Sequence, residues 1–397
     1  MERVKLGDIS KLINGDRGKN YPSQADITDD GEIPFVNAGH LNGRNIDFRE
    51  MNYISQDKYD KLNSGKFQKG DILYCLRGSL GKKAIVNNDV NGAIASSLVI
   101  IRPDSDKVSS EYLMLALDSP AIKEQLVKAN NGSSQPNLSA ASVREYEVEL
   151  PELSIQKGVV EKLVKVRSVI DSRQQELQLL DDLIKARFVE MFGDPVNNEK
   201  GFAKAPMGDY MTVLTDFSSN GSYKTLDNGV TMYDEPNYAW MVRTTDLESG
   251  DMNSIKYIDE SAYELLSKSK IFGGEIIMNK IGSAGKIYLM PQTDMPASLG
   301  RNAFMFRYDE RINVKFLYHL LTSDYGQNEI QQYVRGAVTK TITKNDVRSV
   351  LIIVPPIELQ NEFETFVNQV NKSKFAVQRS LKETKLLFDS LMQQYFG

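Results

Sequence analysis

The sequence predicts an α+β protein: two pseudo-symmetric β-rich domains separated by two long helices that pair as an antiparallel coiled coil. Three observations carry this expectation. A set of residues recurs at a constant offset of 204 positions. Each copy opens with short β-rich segments punctuated by Gly, Asn and Asp. Each copy closes, after a proline, on a long apolar stripe at alternating three- and four-residue spacing.

The repeat runs through most of the chain. Tyr53 and Ile54 recur as Tyr257 and Ile258, Gly70 as Gly274, and Val143-Arg144 as Val347-Arg348. Gly78-Ser79-Leu80-Gly81-Lys82 recurs as Gly282-Ser283-Ala284-Gly285-Lys286, and Phe192-Gly193 as Phe396-Gly397. Upstream the offset slips to 201, where Leu6-Gly7-Asp8 matches Met207-Gly208-Asp209. A period this long is no solenoid unit. It is a domain plus a helix, duplicated, and two copies in one chain invite twofold pseudo-symmetry.

Taken in order, residues 1–150 read as the first domain, with strands expected at 33–37, 71–76 and 97–101 and a helix at 110–128. A last strand ends at Glu149-Leu150-Pro151. Residues 151–193 read as a central helix whose stripe is Val159, Leu163, Val166, Ile170, Leu177, Leu180, Ile184 and Met191, with Arg173 and Gln174 in the gap. Gly193 followed by Pro195 stops it, and 194–205 read as a linker. Residues 206–354 read as the second domain. Residues 355–397 read as a second helix, with Phe363, Val367, Val370, Val377, Leu381, Phe388, Leu391 and Tyr395 on its stripe and Lys374 and Thr384 interrupting. A seam of this kind needs a partner helix. The plainer alternative is that each helix packs only on its own domain. Charged interruptions favour pairing, because they fix register and partner choice. At ~1.5 Å per residue a helix of about 38 residues is ~57 Å long, roughly 17 base pairs at ~3.4 Å.

Composition narrows the function. The chain has 397 residues, 41% of them hydrophobic and 25% charged, ordinary for a globular protein. A single cysteine, Cys75, excludes an internal disulfide framework and a cysteine-built zinc site, and fits a reducing cytoplasm. Neither a signal-peptide run nor a stretch of eighteen apolar residues is present, so a cytoplasmic protein away from membranes is expected. The net charge of −5 argues against a generally basic DNA-coating protein. Residues 1–150 hold 19 Lys and Arg against 21 Asp and Glu. Any DNA surface must therefore be local, with partner subunits supplying part of the phosphate neutralisation.

Arg77-Gly78-Ser79-Leu80-Gly81-Lys82-Lys83 is not a P-loop, since Gly78 and Gly81 are too close and Ala84 follows Lys83. It reads as a tight β-turn whose cations face phosphates, with Lys82 and its repeat Lys286 as positioning contacts. The amide-rich segment 130–137 suits adenine edges, while its counterpart 335–344 carries basic residues and no acid. Divergence at equivalent places is what readers of two different half-sites would show, and Asn37-Ala38-Gly39-His40-Leu41 against Arg243-Thr244-Thr245-Asp246-Leu247 behaves likewise. Solvated loops are the plain alternative for each. Catalysis is poorly served: the only histidines are His40 and His319, no Cys/His spacing suits a metal, and Val354-Pro355-Pro356-Ile357 lacks the asparagine and aromatic ring that hold a flipped base. No catalytic or metal-binding residue is assigned.

On these residues the chain resembles the specificity subunits of Type I restriction–modification systems over essentially its whole length. The most specific segments are Leu150-Pro151 with Gln156, Val354-Pro355 with Gln360, the helix end from Phe188 to Pro195, and Asp71-Ile72-Leu73 and Glu275-Ile276-Ile277 before the glycine turns. The resemblance implies two target-recognition domains, each reading one half of a split, non-palindromic DNA site. It implies helices that set the unread spacer and dock two methyltransferase subunits. Those subunits would carry S-adenosylmethionine and methylate adenine N6, and restriction/translocase subunits would join for cleavage. No cofactor is expected in this chain. Positioning contacts are expected from Arg77, Lys82, Lys83, Lys280, Lys286 and Lys340. Base reading is expected from Asn37, His40, Ser134, Gln135, Asn137, Arg243, Thr244, Arg301 and Thr339. The competing classes are a coiled-coil scaffold without DNA and a self-contained DNA-modifying enzyme.

Overall fold

The computed structural model describes residues 2–130 and 136–397. The chain divides into two compact units: residues 1–175 with 377–397, and residues 176–376. Each unit is therefore assembled from both long helices.

In the first unit, Ser10–Asn14, Leu98–Pro103, Ile72–Cys75 and Lys83–Ile85 form an antiparallel sheet in that order. A second sheet orders Tyr53–Ile54, Ile33–Val36, Gly92–Ile94 and Lys66–Phe67, its middle pair parallel. Glu2–Lys5 pairs with Glu147–Leu150. Apolar residues explain the layering. Leu98, Val99, Ile100 and Ile101 are all buried, because alternate side chains enter different cores on the two faces of the sheet.

The second unit repeats these three sheets strand for strand. Met211–Asp216, Ala303–Tyr308, Ile276–Asn279 and Ile287–Leu289 form one sheet. Lys256–Ile258, Ala239–Val242, Ala297–Leu299 and Lys270–Ile271 form the other, again with one parallel pair in the middle. Ala203–Pro206 pairs with Leu351–Val354. Identical strand order in both units is the structural expression of the 204-residue repeat.

The expected helix over 110–128 is two helices, Ser110–Ala116 and Pro120–Ala129. Pro120 is the reason: its missing N–H and fixed φ suit a first helical turn, and Ser119 caps that turn through the backbone N–H of Ile122.

The two long helices are Leu153–Phe192 and Ile357–Phe396, 40 residues each. They pack antiparallel within each unit. In the first, Lys162 donates to the Tyr395 hydroxyl at 3.3 Å and the Arg167 guanidinium lies 4.9 Å from the Phe388 ring. In the second, Arg187 donates to Glu362 at 2.9 Å, Lys374 pairs with Asp181, and Phe188 meets Phe363 edge-on at 5.4 Å. Every expected seam residue is buried or half-buried. Lys374, an interruption in the apolar stripe, holds register by reaching the partner helix's carboxylate. The alternative, helices lying only on their own domains, is half true: Val159, Leu163, Met392 and Phe396 join the first unit's core, and Phe188, Phe192, Phe363 and Val367 the second's. Each of these fully buried large side chains contributes about 1.5–3 kcal/mol.

The repeated glutamines anchor the helices. Gln156 is fully buried, accepting from the Ser109 N–H at 2.9 Å and donating to the Lys107 and Pro151 carbonyls, each at 2.8 Å. Gln360 does the same with Asn313 N–H and the Arg311 and Pro355 carbonyls. The repeated acids before the glycine turns are anchors too. Asp71 takes two hydrogen bonds from Arg102 at 2.7 and 2.8 Å, and Glu275 pairs with Arg307 at 3.1 Å. Among the described residues, no helix is long and apolar enough to cross a membrane.

Candidate nucleic-acid interface

The glycine turn of the first unit connects Ile72–Cys75 to Lys83–Ile85. Gly78 and Gly81 take φ of 80° and 76°, a region that disfavours a side chain. A Cβ on Gly81 would also stand 2.6 Å from Leu126. Beside the turn lie Pro136, Asn137 and Leu138. Gly78 N–H donates to the Pro136 carbonyl at 3.2 Å, Leu138 N–H donates to the Leu76 carbonyl at 2.8 Å, and Arg77 faces Asn137. Two segments far apart in sequence and both expected at DNA thus form one surface. Ser134 and Gln135 lie outside the described residues.

Lys82 links a third segment to it. Its ammonium donates to the Ala38 carbonyl at 2.8 Å, holding the turn of Asn37 to His40 against the glycine turn. There Asn37 caps a short helical turn, accepting from Gly39 N–H at 2.8 Å, and its own N–H donates to His40 Nδ1 at 3.1 Å. His40 is buried, and burial lowers its pKa from the ordinary imidazole value. It shapes the loop from within, whereas Asn37 stays half exposed. Lys83 is likewise withdrawn: it is buried and paired with Asp118 at 2.5 Å. Lys83 opens the strand Lys83–Ile85, which is buried at every position, so its side chain lies within the unit. Arg77 is exposed.

The second unit builds the same surface from different residues. Gly282 and Gly285 take φ of 81° and 88°. Gly282 N–H donates to the Lys340 carbonyl at 2.9 Å, and Ile342 N–H donates to the Lys280 carbonyl at 3.1 Å. Thr339 and Lys340 stand exposed on this loop. Lys286, the repeat of Lys82, pairs with Glu248 at 2.6 Å on the helix Thr244–Ser249, tying in the segment that holds Arg243 and Thr244. The lysine thus performs one task in both copies, bridging turn to neighbouring loop. Arg243, Thr244 and Arg301 line one recess of about 230 Å³ floored by Phe217 and Met241. Arg243 is fixed by the buried Asp246 at 2.5 Å, and Arg301 lies 4.9 Å over the Phe217 ring.

Lys280 is an organiser rather than a free cation. Its ammonium donates to Asp216 at 2.8 Å, and Lys344 donates to the other oxygen at 2.9 Å and to Ser219 at 2.7 Å. Burial alone would raise the Asp216 pKa, but the hydrogen bonds from Lys280, Lys344 and Ser219 outweigh it and hold the carboxyl at about 2. Sequence reasoning missed Asp216, Glu248 and the structural role of Lys344. Only the basic run around Lys344 gave any signal, because these partners lie up to 128 residues apart. Among the described residues, no group of three His, Cys, Asp or Glu is placed to hold a metal ion.

Two units of the same strand order, sharing paired helices, each bring a glycine turn together with two other loop segments, the plan expected of a duplicated nucleic-acid-recognition protein. The chain belongs to the Type I restriction modification DNA specificity domain family, whose sequence profile matches residues 1–181 and again 208–384. It is 22% identical over 387 residues to the Type I restriction enzyme MjaVIII specificity subunit of Methanocaldococcus jannaschii, covering 90% of this chain and 83% of that one. It is 20% identical to the EcoKI specificity subunit of Escherichia coli, covering 98% and 86%. The fold matches a crystal structure of the S subunit from M. genitalium with TM-score 0.59 at 14% identity, over 100% of this chain and 96% of that one. A structure described for complex assembly and conformational transition of the type I R-M system matches with TM-score 0.60 at 18% identity, over 100% and 97%.

Proposed function

We propose that this chain is the non-catalytic subunit that gives a Type I restriction–modification complex its DNA sequence specificity. Each unit reads one half of a bipartite, non-palindromic site, and the paired helices set the unread spacer between the halves. The observation that carries this reading is the repeat itself. Two units of identical strand order present the same three segments, yet those segments differ in the residues offered to DNA: Asn37 and Asn137 in one, Arg243, Thr244, Thr339 and Lys340 in the other. Exposed Arg77 and Lys340 suit phosphates, and half-exposed amides and hydroxyls suit base edges.

The partners in this reading are double-stranded DNA, two methyltransferase subunits that carry S-adenosylmethionine and methylate adenine N6, and restriction/translocase subunits. The helices offer apolar side chains for docking outside their seam. Val164, Val169, Leu386 and Leu387 are exposed in the first unit, and Leu179, Leu183 and Phe375 in the second.

Domain exchange tests the proposal. Replacing residues 1–150 with the corresponding domain of a relative, then sequencing the host methylome, is expected to change one half of the methylated site and leave the other half and the spacer intact. Changes in both halves would overturn independent reading. Adenine methylation indifferent to the presence of the chain would overturn the specificity role itself.

A further inference from the structure

The first unit holds a second group of cations, where the 41–46 hairpin meets the long helices. Arg44 sits at the tip of the hairpin Leu41–Asn42 and Asn45–Ile46, its carbonyl accepting from Ile85 N–H at 2.9 Å. Its guanidinium is half-buried, and Nη1 is sealed from solvent with no hydrogen-bond partner. Burial and the nearby Arg167 charge both lower its pKa from the ordinary guanidinium value, against the pull of Asp118 and Glu111. Arg167, stacked over Phe388, and Lys123 line the same open cavity of about 470 Å³. Two acids also line it. Asp118 is already taken by Lys83 at 2.5 Å, with Arg167 3.7 Å away, and Asp389 is exposed. A sealed donor beside a like charge is a cost, and an oxyanion in the cavity that Arg44, Arg167 and Lys123 line would offset the like-charge part of it.

We propose that this cavity engages a phosphate group of the DNA backbone, an inference that rests on the chain being a DNA-recognition subunit. Two guanidinium forks and an ammonium converging from three elements suit the several oxygens of a phosphate better than the two of a carboxylate. DNA is the indicated source because Arg44 belongs to the segment that carries Asn37, and Lys82 ties that segment to the glycine turn. The second unit lacks the site. At the repeat offset Asp118 becomes Thr322, Lys123 becomes Gln327 and Arg167 becomes Asn371. At the local offset of 206 that aligns Asn37 with Arg243, Arg44 becomes Gly250. The phosphate grip is therefore one-sided, present at the first half-site alone.

The test uses the full chain assembled with its methyltransferase partners on a duplex bearing the methylated site. Affinity is measured against KCl concentration for the natural chain, Arg44→Ala, Lys123→Ala and, as a control on the same unit, Lys165→Ala. Arg44→Ala and Lys123→Ala are expected to lower the slope of log K against log salt by about 1 each without changing base preference, and Lys165→Ala to leave it unchanged. Ethylating single phosphates is expected to reveal one position beside the first half-site whose interference Arg44→Ala abolishes. The ethylation scan on the natural chain stands even if Arg44→Ala misfolds. Unchanged slopes with no such phosphate would overturn the proposal. Calorimetric binding of inorganic phosphate lost in Arg44→Ala, with the slope unchanged, would assign the cavity to a free anion and overturn the DNA assignment. Weaker methyltransferase assembly with unchanged slope would assign it to an acidic protein partner instead, also overturning it. A natural complex that cannot tell its site from random duplex would sink the underlying function, a result distinct from all of these.

Discussion

Gln156 shows how a residue recognised by its place in a pattern acquires a reason only in three dimensions. Its side chain satisfies one N–H and two carbonyls where strand gives way to helix. Gln156→Leu keeps the volume and leaves all three unpaired in a dry site. At ~1–3 kcal/mol for each buried orphan, a loss of roughly 3–9 kcal/mol is expected, read as a lower denaturation midpoint for the first unit. A loss near zero would mean water replaces the amide. The sequence exposed that the residue repeats. It did not expose the task, because Ser109 and Lys107 lie 47 and 49 positions away. The same limit explains Lys83 and His40. Composition marks both as DNA-facing, but side-chain direction depends on strand phase and on caps, and both turn inward. Arg77 and Lys340 remained on the surface, where their charge had placed them.

At the scale of elements, the seams of both helices were legible because a heptad stripe follows from period alone. The ions within the seam were legible only as interruptions. Lys374 and Asp181 meet beside His319, whose ring lies 5.4 Å from Phe363. Burial, reinforced by the Lys374 charge, lowers the His319 pKa to about 4. Because the unfolded chain takes up this proton first, the second unit loses stability as pH falls from about 6.5 towards 4 and is unaffected above that window. The loss approaches roughly 2–4 kcal/mol at its limit. His319→Phe is expected to flatten this part of the acid limb, measured by urea unfolding between pH 7 and pH 4. An unchanged limb would place the sensitivity elsewhere. The break at Pro120 was readable in hindsight from Ser119-Pro120, a cap and first-turn pair inside an otherwise helical pattern.

At the scale of the molecule, duplication was fully legible, since a fixed offset survives wherever packing demands the same residue. The assignment of chain to compact units was not, because each unit borrows half of each long helix. If the helices set the spacer as proposed, adding one heptad to each preserves the seam and lengthens the pair by about 10.5 Å. That is expected to shift the methylated site's spacer by about 3 base pairs with both half-sites retained, and a shift in the half-sites instead would remove the spacing role. The shared construction has a consequence during synthesis. Met392 and Phe396 close the apolar core begun by residues near the start of the chain. On a ribosome adding about 5–20 residues each second, the first head waits on the order of tens of seconds, greasy face uncovered, for its last piece to emerge. A chain ending before Met392 is therefore expected to leave that face uncovered, and to bind an apolar dye that the full-length chain excludes.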